Sequence, residues 1–203
     1  MLRQCGEFEV TGLLTTFNQQ ADRVAMHAVR RELAQRQAAA TGLPLWPVPL
    51  PWPCSNEQYE STMAEVCARI VSEGIEGIAF GDLFLEEVRV YREKQLQNTG
   101  LTPFFPLWGM PTRELAATMV AAGLRAKFTC IDTKQLDASF AGREFDSAFL
   151  AEIPDCVDPC GENGEFHSFV YAGPMLNSAI PVTVGEQVVR GQFLFTDIIP
   201  AAG

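Results

Sequence analysis

Along the first half of the chain, short apolar blocks alternate with longer stretches in which apolar residues recur every three or four positions. That rhythm predicts strands joined by amphipathic helices, hence an α/β architecture with a mostly parallel sheet. Phe8 to Thr16 reads as a strand, and Gln20 to Ala40 as a helix with Val24, Ala28 and Leu33 along one side. Gly42 supplies a helix stop. Leu43 to Leu50 is an extended run broken by Pro44, Pro47 and Pro49. Proline cannot donate to a sheet ladder, so this strand belongs at an edge. Ser55-Asn56-Glu57 opens a helix in which Met63, Val66, Cys67, Ile70 and Val71 recur at helical spacing. Ile75 to Phe80, nearly all apolar, has the composition of a strand buried on both faces. Leu83 to Gln97 predicts a charged helix and Thr102 to Trp108 another strand. Pro111 to Ala122 follows as a helix opened by proline and ended by Gly123. Beyond the apolar run Leu124 to Ile131 the rhythm loosens, with Phe166 to Tyr171 and Gln187 to Phe195 as strands. The change of pattern sets the expected domain division near Trp108.

Composition narrows the partners. A chain of 203 residues suits one large domain or two small ones. With 15 basic against 25 acidic residues, the formal charge of −10 repels phosphate backbones, which argues against nucleic acid. No apolar run approaches the roughly 20 residues that span a bilayer, and the first residues lack the pattern of a secretory signal. Six cysteines are too sparse for a disulfide scaffold, and Cys67 and Cys130 sit in apolar stretches as small buried hydrophobes. A cytoplasmic protein is the default expectation.

The candidate chemistry lies mainly in Asp158-Pro159-Cys160-Gly161-Glu162-Asn163-Gly164-Glu165-Phe166-His167. Glu162 and Glu165 stand three residues apart on a loop whose glycines, Gly161 and Gly164, permit tight bending and close approach to a ligand. On spacing alone the favoured reading is a turn with solvated acids leading into an edge strand. Gly81-Asp82 ends a predicted strand, where open α/β sheets bind ligands. Asp82 could cap the next helix or orient a metal-bound phosphate. That helix carries Glu86, Glu87, Arg89, Arg92 and Glu93, a pattern that also describes an ordinary solvated face. His27 and His167 are the two histidines, His27 reading as a helical surface residue. Cys156, Cys160 and His167 fit no standard zinc spacing, so no metal site is expected. Gly-x-Ser-x-Gly, Walker A and Rossmann glycine patterns are absent from the sequence.

Gly161 to Pro174, GENGEFHSFVYAGP, resembles the C-terminal signature of the diphthine–ammonia ligase family, GEGGEYET followed by a short strand and GP. Val10 to Asn18 resembles that family's second strand, Ala79-Phe80-Gly81-Asp82 its strand-ending Gly-Asp, and Phe105-Pro106-Leu107-Trp108 its Pro-Leu-Trp signature. The resemblance implies a three-layer, parallel-sheet nucleotide-binding domain of the PP-loop ATP pyrophosphatase type over residues 1–108. A smaller mixed α+β substrate domain over 109–203 would follow. It implies an enzyme that adenylates a carboxylate with ATP and Mg, then admits ammonia to form an amide. By the same resemblance Glu162, Glu165 and Asp82 are the catalytic candidates. Leu14, Thr15, Thr16, Gly81 and Asp82 would face the nucleotide. Arg89, Pro106, Leu107, Trp108, Gly161, Gly164 and His167 would face the carboxylate substrate. The sequence departs from the signature at Asn163, at His167-Ser168 and at Ala172, and His167 with the Asp-Pro-Cys lead-in resembles the bacterial-type relatives. No SGGKDS phosphate loop occurs in it. The reading is therefore of a member lacking the first strand and phosphate loop, with weak nucleotide binding and impaired turnover. The expected sheet order would place that first strand between the second and fourth. A non-catalytic nucleotide-binding or interaction module, a piece of a longer enzyme, and a homo-oligomer pairing its strand edges are the alternatives.

Overall fold

The computed structural model describes residues 2–201. After a single helical turn, α1 (Leu2–Cys5), the elements run β1 (Leu13–Asn18), β2 (Arg23–Val24), α2 (Arg31–Thr41), β3 (Leu45–Leu50) and α3 (Asn56–Ser72). Then come β4 (Gly77–Ala79), α4 (Glu86–Leu96), β5 (Thr102–Phe104), α5 (Thr112–Ala121) and β6 (Arg125–Asp132). A short 3-10 turn at Ala138–Phe140 precedes α6 (Ser147–Glu152), β7 (Phe166–Ala172), β8 (Val182–Arg190) and β9 (Phe193–Pro200).

The architecture is mixed α/β. Parallel pairing joins β1 to β3, from Leu13 opposite Leu45 to Asn18 opposite Leu50, and β4 to β5. These are two separate sheets, ordered β2-β1-β3 and β4-β5. They share one core: Leu14 and Trp46 of the first sheet, with Ile78 and Phe80 of the second, pack around Cys67, Ile70, Leu96 and Leu101. The third sheet is antiparallel, ordered β7-β6-β9-β8. Its core is aromatic, with Phe128, Phe145, Phe149 and Phe166 gathered beneath α5 and α6.

Local sequence explains several elements. The Ser55 hydroxyl accepts from the Gln58 N–H while the Gln58 side chain accepts from the Ser55 N–H, a reciprocal cap that starts α3. Gly42 ends α2 in the left-handed region at φ 73°, which only glycine adopts without strain. The proline-bearing β3 sits at an edge of its sheet, where missing N–H groups leave no ladder bond unmade.

Other expectations need correction. The helix read over Gln20 to Ala40 exists only from Arg31. Residues 19–30 instead fold as a loop containing β2, which pairs antiparallel with the end of β1 and so departs from the all-parallel pattern. Asp22, Met26 and Ala28 take positive φ there, a cost for non-glycine residues that contacts elsewhere must offset. The strand expected from Phe8 starts at Leu13; Phe8 lies outside it, its ring edge-on to Phe104 at 4.9 Å. β4 is three residues long with Ala79 exposed, rather than buried on both faces, because no strand covers its second side among the described residues. Thr102 to Trp108 is strand only to Phe104, after which Pro106 to Gly109 turn. Gln187 to Phe195 is a hairpin, β8 and β9 reversing at Gly191-Gln192.

The contacts that offset the strained loop come from β9. Asp197 accepts hydrogen bonds from Arg23 Nη1 at 2.8 Å and Arg30 Nε at 3.0 Å, clamping residues 23–30 onto the third sheet. Burial opposes ionisation of Asp197, but the bonds from Arg30 and Arg23 outweigh it and hold the carboxyl down at about 2. A carboxyl whose folded value is depressed stabilises the fold above its unfolded value and loses that contribution as pH falls toward 2. Asp197→Asn should therefore cost about 1–2 kcal/mol at neutral pH, a difference that closes by pH 2. Equal denaturation midpoints for the two proteins at pH 7 would exclude the clamp as a stabilising element.

Candidate functional site

Three loops meet at the carboxyl ends of β4 and β5. The first, residues 80–85, follows β4; the second, residues 105–109, follows β5; the third is the acidic loop 158–165 that leads into β7. Leu83 joins them. Its N–H donates to Glu162 Oε1 at 2.7 Å, and its carbonyl accepts from the Gly109 N–H at 2.8 Å.

The acidic loop builds itself. Asp158 Oδ2 accepts from the Glu162 N–H at 2.8 Å, while Glu165 Oε1 accepts from the Asp158 N–H at 2.8 Å and from Asn163 Nδ2 at 2.9 Å. Gly161, at φ 72°, lies so close to Phe166 that a Cβ there would stand 2.8 Å from its carbonyl oxygen. The close approach required of Gly161 is thus to the chain itself. Gly164, at φ 80°, has open space around it.

The two glutamates consequently differ. Glu165 is 2 % exposed and turned into its own loop, with Oε2 buried and without a hydrogen-bond partner. Glu162 is half-buried and reaches out to the strand-end loop. Burial raises its pKa, the Asp82 and Asp158 carboxylates push the same way, and hydrogen bonds from the Leu83 and Phe84 amides oppose them. A carboxylate poised in this manner is suited to taking up a proton.

The loops after β4 and β5 carry an aromatic wall. Phe80 and Phe105 stack at 5.6 Å, and Trp108 meets Phe105 edge-on at 6.0 Å. Two arginines of α4 lie over it: Arg89 4.8 Å above Trp108 and 5.0 Å above Phe105, Arg92 5.1 Å above Phe80. The aromatic faces hold these guanidiniums while leaving their N–H edges free to bind. Arg89 also pairs with Glu93 one turn on. Asp82 does not cap α4, whose N-cap is Leu85 without a side-chain bond. It faces Arg92 at 3.6 Å, and both Asp82 Oδ2 and Arg92 Nε are buried without a hydrogen-bond partner. The two charges thus offset each other in a buried pair behind the strand ends, with hydrogen-bonding capacity left unused.

Gly81, Asp82, Arg89, Trp108, Gly161 and Glu162 are thus brought together. Pro106 and Leu107 lie in the same turn, half-buried. Leu14 is turned to the shared core, and Thr15 and Thr16 stand on β1, the Thr16 carbonyl accepting from the Ala25 N–H. Cys156 is exposed; the Cys160 thiol lies 3.4 Å from the Thr112 carbonyl, and burial with the Asp158 and Glu162 charges pushes it up to about 12.

His167 is placed differently. Its ring packs against His27 with centroids 4.3 Å apart, joining β7 to the clamped loop. Burial lowers the pKa of both, and the neighbouring His27 helps bring His167 down to about 4. Sequence reasoning named His27, Arg92, Phe80, Phe105, Asp158 and Asn163 but gave none of them a place among the site residues. An Asp-Pro-Cys-Gly run was a readable signal for Asp158, since aspartate favours the first position of such turns. Nothing local marked His27, because its surroundings are equally permissive for helix.

Fold and site together define an α/β protein that gathers charged and aromatic groups at strand ends, with an acidic loop leading into its antiparallel sheet. Residues 111–200 match the family model of the diphthamide synthase C-terminal domain. Over 150 residues the chain is 25% identical to the diphthine–ammonia ligase of Homo sapiens and 26% identical to that of Rattus norvegicus. Each alignment covers 71% of this chain and 56% of the relative. The zebrafish protein of that name, from Danio rerio, is 26% identical over 132 residues. In its C-terminal part the chain is similar to the diphthamide synthase domain and, more broadly, to the diphthine–ammonia ligases, and it spans about half the length of the curated relatives it matches.

Proposed function

We propose that this chain carries the acceptor half of an ATP-dependent amide-forming ligase. In that reaction a carboxylate attacks the α-phosphate of ATP, releasing pyrophosphate and leaving an acyl-adenylate. Ammonia then attacks the acyl carbon, AMP departs, and one proton must be accepted from the nitrogen. The observation that carries the proposal is Glu162, reaching from the acidic loop to the Leu83 amide with Asp82 and the arginine-topped aromatic wall nearby.

Glu162, with its raised pKa, is the proposed proton acceptor. Glu165 and Asp158 hold it there through the loop's own hydrogen bonds. Arg89 and Arg92 would bind the substrate's negative charge, and Asp82 with Gly81 would face the nucleotide phosphates and their Mg. The substrate is an unidentified carboxylate; the relatives' name specifies diphthine.

Because the sequence contains no SGGKDS run, nucleotide binding by this chain alone is expected to be weak. Calorimetric titration with ATP and AMP should give affinities poorer than about 1 μM; tighter binding would mean that another loop grips the phosphates. In a form that turns over, Glu162→Gln should lower kcat about 100-fold or more with little change in KM for ammonia. Undiminished amide formation by that variant would remove Glu162 from the chemistry. Ligand binding with no pyrophosphate release under any condition would favour a non-catalytic binding module.

A further inference from the structure

The antiparallel sheet treats its two edges differently. On β7, the Val170 carbonyl accepts from Gln37 Nε2 at 2.6 Å and the Tyr171 carbonyl from the Ile180 N–H at 2.8 Å, so that edge is covered from within. On β8, seven of the nine residues pair with β9 along one side, Gly185 and Glu186 lying in a register shift, and no strand lies on the other side among the described residues. Val184, Val188 and Val189 are 44%, 39% and 68% exposed along it. A bare edge of this length is a template for another strand.

Its charge pattern selects the occupant. An antiparallel partner of the same sequence, related by a two-fold axis at Val188, sets Val188 against its own copy and Gln187 against Val189. It also sets Glu186 against Arg190, twice by symmetry. Moving the axis to Gln187 sets Val184 against Arg190 and loses both ion pairs. Glu186 and Arg190 are exposed, and neither is engaged in an ion pair among the described residues. Opposite charges directly across a strand pair are favourable and like charges unfavourable.

We infer that β8 is a homodimerisation edge, pairing antiparallel with β8 of a second copy about a two-fold axis at Val188 so that the two four-stranded sheets become continuous. An isologous contact of this kind closes on itself and does not propagate. The register shift between Val184 and Gln187 contains Glu186 and bounds the facing stretch there, so the pairing runs from Glu186 to Arg190.

Sedimentation equilibrium of the whole chain tests this. The wild type should show a concentration-dependent monomer–dimer equilibrium. Glu186→Arg sets Arg against Arg190, and Arg190→Glu sets Glu against Glu186; each should weaken dimerisation about tenfold or more. The double variant restores both pairs and should return to within about threefold of wild type. Circular dichroism should show all three folded, since both side chains are exposed. Were a charge variant to unfold, Val188→Lys, which opposes two lysines at the axis, should by itself give a monomer. A wild-type monomer at every concentration would overturn the inference and leave the edge to a strand of another protein. A dimer insensitive to the single changes, or a double variant no tighter than they are, would overturn it equally.

Discussion

Phe128→Ala is expected to lower folding stability by about 3–5 kcal/mol, the largest loss of any single change considered. Phe128 is fully buried, and its ring meets Phe149 and Phe166 edge-on at 4.7 Å and Phe145 at 6.3 Å. These neighbours brace one another, so the space left by truncation cannot readily collapse. Phe166 directly follows Glu165, so the same change should also loosen the acidic loop. Urea denaturation, read by tryptophan fluorescence and by far-ultraviolet dichroism, measures the loss. Phe128→Leu keeps most of the volume and should cost roughly half as much. A loss below about 1 kcal/mol for the alanine variant would mean that the aromatic cluster repacks, contrary to the geometry described.

The second large effect is a pH dependence. An unfolded histidine titrates near 6.5, whereas His167 in the fold sits at about 4, lowered by burial and then by His27. As pH falls below about 6.5 the unfolded chain takes up a proton that the folded chain refuses. Stability is therefore lost progressively between about 6.5 and 4, and the loss levels off once the folded ring also protonates. The fall should amount to about 2–3 kcal/mol, with a smaller share from His27. His167→Gln, which cannot titrate, should flatten the stability profile across that window. Superimposable profiles for the variant and the wild type would show that the ring is solvated and titrates normally.

How much of this was legible in the residues follows from where the forces act. Strands β1 and β3, helix α3 with its serine cap, and the left-handed stop at Gly42 were readable because each is fixed by local chemistry. The helix misread over residues 20–30 was not, because what defeats it is distant: Asp197, more than 160 residues away, draws Arg23 and Arg30 into a non-helical loop. No window of sequence contains that competition. The acidic loop shows the same division. Its glycines and two glutamates stand out, yet which glutamate turns inward depends on the Asp158 amide and the Asn163 side chain. Asn163, a departure from the signature, proves to be a donor that ties Glu165 down. The aromatic wall draws on two separate stretches, Phe80 and Phe105 to Trp108, which only the fold brings together.

Leu83 carries a consequence for how such a site evolves. Its link to the acidic loop and to the turn after β5 runs through its main-chain N–H and carbonyl, groups that every residue except proline supplies in full. Drift at position 83 can therefore change the side chain freely, within the limits set by its burial, without cutting the connection. Only proline would sever it. A comparison of sequences would rank the position as ordinary core, although it is where the three loops are joined. The contact is inherited with the fold rather than with any letter of the sequence.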